Sequence, residues 1–203
     1  MVYDYSLAAL IINIVVMKTR ILLLATLLNC FSICLGQERL DINTSESNIK
    51  WSGEYSFYFG GHEGNINFKE GYFIKSGEII TGGEFIIDMH SIVCTDNGKI
   101  DRDSGLVGHL KNEDFFEVET YPISKLIIKS VEYQAENWVK IYADLTIKGI
   151  TLPINFRAEM DYKNKSMKTR FKIDRQRWGI DYNSSLRDSA ISDAIGFEVV
   201  LSL

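Results

Sequence analysis

The chain has 203 residues, of which 46% are hydrophobic and 24% charged, and its formal net charge is -5 at pH 7. This composition is typical of one globular domain and excludes a disordered chain. An acidic chain without a basic stripe also argues against nucleic acid as a partner, because that binding depends on neutralising phosphates, and it offers no attraction to anionic lipid headgroups.

Residues 1–36 are predicted to be a signal peptide region. Two apolar runs flank the basic tetrapeptide MKTR at residues 17–20. If translation starts at Met17, these basic side chains form the n-region, residues 21–28 form the apolar h-region, and small residues precede a cleavage site after Gly36. Removing the region leaves 20 basic residues (22 − 2) and 26 acidic ones (27 − 1), a net charge of -6.

Two alternatives to a cleaved signal are open. One is an amino-terminal anchor that uses both apolar runs, although neither reaches the roughly 20 residues of a spanning helix. The other is a lipoprotein, but Asn29 before Cys30 and Ile33 before Cys34 are poor neighbours for lipidation. After cleavage Cys94 is the one remaining cysteine, so an oxidising compartment is permitted but not shown.

Short alternating segments predict the first strands. They comprise Trp51, Gly53, Tyr55, Phe57 and Phe59, then Ile66 and Phe68, then Phe85, Ile87 and Met89.

Cys94 follows in a loop that also contains Asp96, Asp101 and Asp103. We interpret Cys94 as an ordinary thiol at a strand end, because no second cysteine or convincing histidine partner accompanies it. The loop lacks the order of a calcium-binding loop and is interpreted as a solvated connection.

The stretch Gly105–Pro122, GLVGHLKNEDFFEVETYP, interrupts the strand-like sequence with a short helical turn and a pair of aromatic residues. Phe115 and Phe116 are expected to plug one end of the fold or to anchor this excursion on it. A lid over an apolar cavity and a cap on a solid core need the same residues, so both interpretations stay open.

Three consecutive segments downstream alternate strictly between apolar and polar residues, which predicts half-buried strands. Polar turns at 148–151 and 162–165 join them into an antiparallel meander, and a fourth run follows near residue 203. The apolar positions are Val139, Ile141, Ala143, Leu145 and Ile147; Leu152, Ile154, Phe156, Ala158 and Met160; Met167, Thr169, Phe171 and Ile173; and Ile195, Phe197, Val199, Leu201 and Leu203.

With the segment 123–133, these patterns predict about eight strands and no long amphipathic helix to cover an open sheet. Closure into an antiparallel β-barrel is the simplest arrangement, because it removes the exposed sheet edges. The predicted fold is therefore all-β, with a short helical excursion. A barrel of this size either fills its interior with side chains or holds one small ligand, and the sequence pattern does not separate the two.

Five segments recur in the order and spacing of YceI-like proteins, and they span nearly all of the chain after residue 48. They are HEGNINF at 62–68, GGEFIIDMHSI at 82–92, the 105–122 stretch, DLTIKGITLPINF at 144–156 and FKIDRQRWGI at 171–180. The chain thus resembles the YceI-like family. The resemblance implies an exported, lipocalin-like barrel whose interior holds a polyisoprenoid, a quinone or another amphiphilic lipid.

If the inward face forms a pocket, its apolar side chains suit an alkyl or isoprenoid chain, since each methylene removed from water contributes about 0.8 kcal/mol. A solid core built from the same residues is the alternative. The candidate ligand-binding residues are Ile66, Phe68, Phe85, Ile87, Ile141, Leu145, Ile154, Phe156, Phe171 and Phe197.

No metal, cofactor or catalytic site is predicted. His62, His90 and His109 lie on separate segments without a zinc-binding spacing. No nucleophile motif or phosphate-binding loop is present, although catalytic groups also converge from distant positions. Arg175 lies in a cluster that either offers cations to a polar headgroup or forms an exposed strand end, with Trp178 over the barrel mouth.

We therefore predict an exported protein, periplasmic or secreted, that binds a long-chain isoprenoid or other amphiphilic lipid for transport or sequestration. Two other hypotheses are an envelope interaction module with a filled core and an enzyme that modifies a lipid in the same cavity. The sequence leaves a homodimer and an envelope protein partner open.

Overall fold

The computed structural model describes residues 15–20, 36–55, 60–103, 105–181 and 191–203, the side chains of Asn97 and Ile191 excepted.

The chain divides into two compact units, Met1–Gly36 and Gln37–Leu203. In the first unit, residues 15–20 are helical. The predicted h-region lies outside the described residues, as do Phe57 and Phe59, so the signal peptide stays a prediction. Among the helices that the structure describes, none combines the length and the apolar character needed to span a bilayer.

The second unit consists of nine β-strands, one α-helix and two short 3₁₀ turns among its described residues. The strands are β1 (Gln37–Asp41), β2 (Asn48–Tyr55), β3 (Gly61–Ser76), β4 (Ile79–Cys94), β5 (Ile123–Tyr133), β6 (Trp138–Ile147), β7 (Ile150–Asp161), β8 (Ser166–Asp174) and β9 (Ile191–Ser202). Helix α1 is Gly105–Lys111, and the 3₁₀ turns are Asp96–Gly98 and Arg175–Trp178.

Strands β2 to β9 form a closed antiparallel barrel. The hydrogen-bonded order is β1-β3-β2-β9-β8-β7-β6-β5-β4, and a further pairing of β3 with β4 closes the circle. Strand β1 lies outside the closed barrel and pairs with the C-terminal end of β3. The prediction of an all-β, lipocalin-like barrel with a short helical excursion is confirmed, and β1 is the strand that the alternation did not indicate.

The meander of β6, β7 and β8 has the faces that the alternation predicts. All five apolar positions of β6 are buried, and the polar ones between them are not. The β6–β7 hairpin turns through Lys148 and Gly149, which have φ values of 48° and 73°. Positive φ at both central residues is the turn geometry that matches the twist of paired strands.

The two longest strands, β3 and β4, form the most irregular pairing. Each has 16 residues. Their register shifts between Asn65 and Asn67, between Phe68 and Glu70, and again near Ile74. Because an extra residue at a bulge breaks the alternation of faces, the sequence pattern revealed only short pieces of these strands.

The indole of Trp51 lies across Gly64 on the neighbouring strand. The two residues are register partners in β2 and β3, and the indole N–H donates to the carbonyl oxygen of Val93 on β4 at 3.2 Å. A Cβ atom on Gly64 would lie 1.8 Å from that oxygen and 2.6 Å from the indole ring. Because glycine has no side chain, Trp51 of β2 can pack across Gly64 of β3 and bond to Val93 of β4.

Candidate ligand-binding cavity

The interior of the barrel contains a cavity of about 180 Å³, which is lined by residues of the strands and of α1. Inward-facing side chains of the strands form most of its wall, and most of them are apolar. Cavities with apolar walls stay free of water and accept apolar ligands. The interior is thus not completely filled by side chains.

Eight of the ten predicted ligand-binding residues line this cavity. They are Ile66, Phe68, Phe85, Ile87, Leu145, Phe156, Phe171 and Phe197. Whether they contact a ligand stays a prediction.

The other two predicted residues, Ile141 and Ile154, do not line the cavity. Ile141 faces inward with an exposed fraction of 1%, but neighbouring core side chains cover it. Ile154 is half-buried and packs against the core. Alternation defines the face of a strand but not the depth at which a side chain meets an empty space, and on β6 the cavity lies beside Leu145 and Ile147.

Aromatic rings make up one side of the cavity wall. Phe156 stacks on Phe171 with ring centroids 4.7 Å apart and an angle of 15° between the ring planes. Phe171 in turn lies 5.4 Å from Phe197. Strands β7 and β8 pair over only four residue pairs, from Ala158–Thr169 to Asp161–Ser166, so the Phe156–Phe171 stack joins these strands where no backbone pairing is present.

The excursion after β4 covers the cavity as expected. Phe115 and Phe116 are buried, lie edge to face with centroids 5.0 Å apart, and line the cavity. Leu106 and Leu110 of α1 line it too. These two leucines are spaced four residues apart and so share one face of the helix, a signal that the strand-based reasoning did not use.

Several further residues line the cavity and were absent from the predicted set. For Trp51, Met89, Met167 and the β9 residues the signal was the same alternation, whereas no inward face had been predicted for the residues of β5 or for Ile49 and Ile92. The main ones are Ile49, Trp51, Met89, Ile92, Leu126, Ile128, Met167, Ile195, Val199 and Leu201.

Arg175 is buried in the cavity wall, not exposed at a strand end. Its exposed fraction is 4%. The guanidinium donates to the carbonyl oxygen of Ile180 at 2.5 Å and to the Asp193 carboxylate at 3.1 Å. A buried cation is tolerated where such partners surround it, so Arg175 ties the Arg175–Trp178 turn to β9. Trp178 is fully buried and its indole N–H donates to the Leu145 carbonyl oxygen at 3.2 Å, but it does not line the cavity, so its predicted position over the barrel mouth stays a prediction.

A chain of polar side chains lies at the rim of the cavity. Tyr55 and His62 line it, the Tyr55 hydroxyl lies 2.8 Å from His62 Nε2, and His62 Nδ1 lies 2.5 Å from Asp96 Oδ2. The second Asp96 oxygen accepts the backbone N–H of Glu63 at 2.9 Å. Asp96 is therefore a bonded, half-buried group, which corrects the interpretation of its loop as a solvated connection.

The strand register explains why these residues meet. Gly64 pairs with Cys94, so Asp96 lies opposite His62, and both flank Cys94 on the same face. Gly53 pairs with His62 on the other side, which places Tyr55 diagonally next to the imidazole. Cys94 thus has a histidine neighbour after all, one that separation along the chain had concealed.

Two groups of this cluster have altered acidity. Burial raises the pKa of Asp96, but hydrogen bonds from the Glu63 N–H, His62 and Cys94 outweigh it, and the pKa lies below its ordinary value. Burial also raises the pKa of the Cys94 thiol, and the nearby Asp96 carboxylate acts in the same direction. A thiol with a raised pKa is a weak nucleophile at neutral pH.

We expect the Asp96→Asn variant to lose stability at neutral pH and to lose progressively less in acid. Because the pKa of Asp96 is lowered by folding, its carboxylate stabilises the native state above the unfolded value of about 3.9. This contribution disappears as the pH falls through the folded pKa. Urea unfolding of both proteins at pH 7 and pH 3 measures the difference. A difference that is equal at both pH values would contradict the assignment.

Known proteins resemble this chain both in sequence and in fold. The model of the YceI-like domain matches residues 40–203. A UPF0312 protein of Photorhabdus laumondii is 33% identical over 69 residues, which is 34% of this chain and 33% of that protein. One of Pseudomonas putida is 32% identical over 57 residues, 28% of this chain and 30% of that protein. The matched segments thus span about a third of these relatives.

Solved structures share the barrel at low sequence identity. BcnA of Burkholderia cenocepacia has a TM-score of 0.65 and 15% identity, over 80% of this chain and 99% of that one. A polyisoprenoid binding domain from Saccharophagus degradans has a TM-score of 0.56 and 12% identity, over 82% and 97%. A YCEI protein of Campylobacter jejuni has a TM-score of 0.51 and 20% identity, over 68% and 84%. The family match over residues 40–203, on the barrel described above, shows that the chain belongs to the YceI-like domain family.

Proposed function

We propose that the protein binds an amphiphilic lipid of the polyisoprenoid, quinone or fatty-acyl type inside the barrel and carries or sequesters it. The observation that supports this most directly is the cavity itself, whose wall is formed by apolar strand residues and closed by Phe115 and Phe116. Burial of an alkyl chain there contributes about 0.8 kcal/mol per methylene. A long chain therefore binds without many hydrogen bonds.

The polar groups of the cavity wall suit a ligand with one polar end. Tyr55 and His62 lie at one place on the wall, and Arg175 lies at another. Glu54, Ser124, Thr169 and Ser192 also line the cavity, and the remaining wall is apolar. Such an arrangement orients an amphiphile, with its tail among the phenylalanines and its head toward a polar group. The solved relative from Saccharophagus degradans is itself described as a polyisoprenoid binding domain, which is in keeping with this proposal.

Binding rather than catalysis is the role that we propose. The Tyr55–His62–Asp96 chain orders a hydroxyl, an imidazole and a carboxylate, but its hydroxyl belongs to a phenol and not to the serine of the usual catalytic triad. Export to the periplasm or the medium belongs to the same proposal and rests on the predicted signal peptide region. A homodimer or an envelope protein partner stays a prediction.

Native mass spectrometry of the protein from its own host tests the proposal. We expect a mass above that of the polypeptide alone, and solvent extraction should release one long-chain lipid per chain. A sample denatured before the measurement serves as the control for covalent additions. If the native mass is bare and stays bare after incubation with isoprenoid alcohols, quinones and fatty acids, the lipid-binding proposal is wrong.

A further inference from the structure

We propose that His62, Cys94 and Asp96 form a binding site for a divalent transition-metal ion, with Zn²⁺ as the expected occupant. One ligand atom of each side chain lies within 4.8 Å of those of the other two. Thiolate, imidazole and carboxylate are the side-chain groups that bind Zn²⁺ in proteins. Three protein ligands leave the fourth tetrahedral position for water.

The distances are close to those that an ion requires. With metal–ligand bonds of about 2.0 to 2.3 Å, tetrahedral ligand atoms lie roughly 3.3 to 3.8 Å apart. His62 Nδ1 and Asp96 Oδ2 are now 2.5 Å apart and must separate by about 1 Å. The Cys94 sulfur lies within 4.8 Å of both atoms and must approach by at most about 1.5 Å. The proposal requires side-chain rotations of His62 on β3, of Cys94 at the end of β4 and of Asp96 in the 3₁₀ turn to make both movements.

Outer hydrogen bonds already orient two of the three ligands. Asp96 Oδ1 is held by the Glu63 N–H, which leaves Oδ2 for an ion. His62 Nε2 is held by the Tyr55 hydroxyl, which leaves Nδ1. In the bound form the ring carries its proton on Nε2 and donates it to the Tyr55 oxygen. Partners of this kind fix the tautomer and direction of a metal-binding histidine.

The cluster is open on one side and buried on the other. The side chains of His62 and Asp96 are 38% and 31% exposed, whereas Cys94 is 5% exposed. Both exposed ligands also line a surface hollow together with Glu54 and Glu63. An ion can therefore enter from solvent and meet the thiol at the bottom of the site. On binding, the Cys94 thiol releases its proton to solvent, and no oxidant or reductant is needed.

Titration with Co²⁺, a spectroscopic substitute for Zn²⁺, tests the site. The full chain is used without a histidine tag and with Cys30→Ser and Cys34→Ser, so that Cys94 is its one thiol. After treatment with a chelator and its removal, we expect one Co²⁺ per chain and a near-ultraviolet thiolate-to-cobalt absorption band that Zn²⁺ abolishes. Absence of this band would overturn the proposal.

Variants separate the cluster from adventitious binding. Cys94→Ser should remove the absorption band, and His62→Gln should weaken binding at least about tenfold. Tyr55→Phe should weaken it less than His62→Gln does, because it removes an outer partner. His90→Gln is the matched control, since this histidine lies 48% exposed beside Glu119, outside the cluster.

Circular dichroism establishes that each variant retains its β-sheet, and Cys94→Ala or His62→Asn replaces a variant that does not. Equal Co²⁺ affinity in the His62→Gln and His90→Gln proteins would also overturn the proposal. The measurement needs no lipid, so its failure would leave the lipid-binding proposal intact.

Discussion

The Gly64→Ala variant is expected to lose about 3 kcal/mol or more of its free energy of unfolding. The added Cβ would lie 1.8 Å from the Val93 carbonyl oxygen and 2.6 Å from two atoms of the Trp51 indole. The first contact is with backbone and the second with a buried ring, so neither neighbour can move aside cheaply. To remove the clash with the Val93 carbonyl oxygen, β3 must move away from β4.

Gly53→Ala provides the matched control, because Gly53 lies on the adjacent strand and a Cβ there would meet nothing within 4 Å. Urea unfolding followed by tryptophan fluorescence measures both variants, and Trp51 reports directly on the altered site. If the Gly64→Ala protein were as stable as the Gly53→Ala protein, the close approach of the three strands would be wrong.

The Val199→Trp variant is expected to bind geranylgeraniol at least about tenfold more weakly than the unaltered protein. Val199 lines the cavity, and an indole in its place occupies the space of several methylenes of the ligand. Loss of two methylene contacts costs about 1.6 kcal/mol, which corresponds to roughly a tenfold change in dissociation constant. Quenching of intrinsic tryptophan fluorescence on titration with the alcohol gives the affinities.

Val200→Trp is the control for this variant. Val200 is the next residue of β9, is also half-buried, and does not line the cavity. It should bind the alcohol as the unaltered protein does. Equal weakening by both substitutions would show that β9 was disturbed as a whole, and unchanged binding by Val199→Trp would place the lipid outside the cavity.

The sequence predicts the barrel because the physical rule behind its strands is local. Within each of β6, β7 and β8, neighbouring side chains point to opposite faces, so apolar and polar residues had to alternate if one face was buried. That rule needs no knowledge of partners. Eight of the ten predicted residues line the cavity, and the rule accounts for the face of the strand on which they lie but not for the depth of the empty space.

The parts that escaped prediction depend on contacts between distant strands. His62, Cys94 and Asp96 meet only because β3 and β4 pair with Gly64 opposite Cys94, and bulges on the way hide that register from the sequence. Arg175 is buried because carbonyl groups and Asp193 surround it. Ile141 shares a face with Leu145, but the cavity is not beside it. The depth of the cavity and the register between distant strands are set only when the barrel is assembled.

The pairing of β2 with β9 determines when the barrel can form. Strand β9 bonds to β8 on one side and to β2 on the other, with Asn48 opposite Val200. A nascent chain on the ribosome therefore lacks this seam until the residues of β9 have emerged, and β2 and β8 keep free edges until then. Closure by strands so far apart in the chain is intrinsically slow. Until β9 is delivered, the polypeptide therefore stays an unclosed sheet, whatever the order in which its other strands pair.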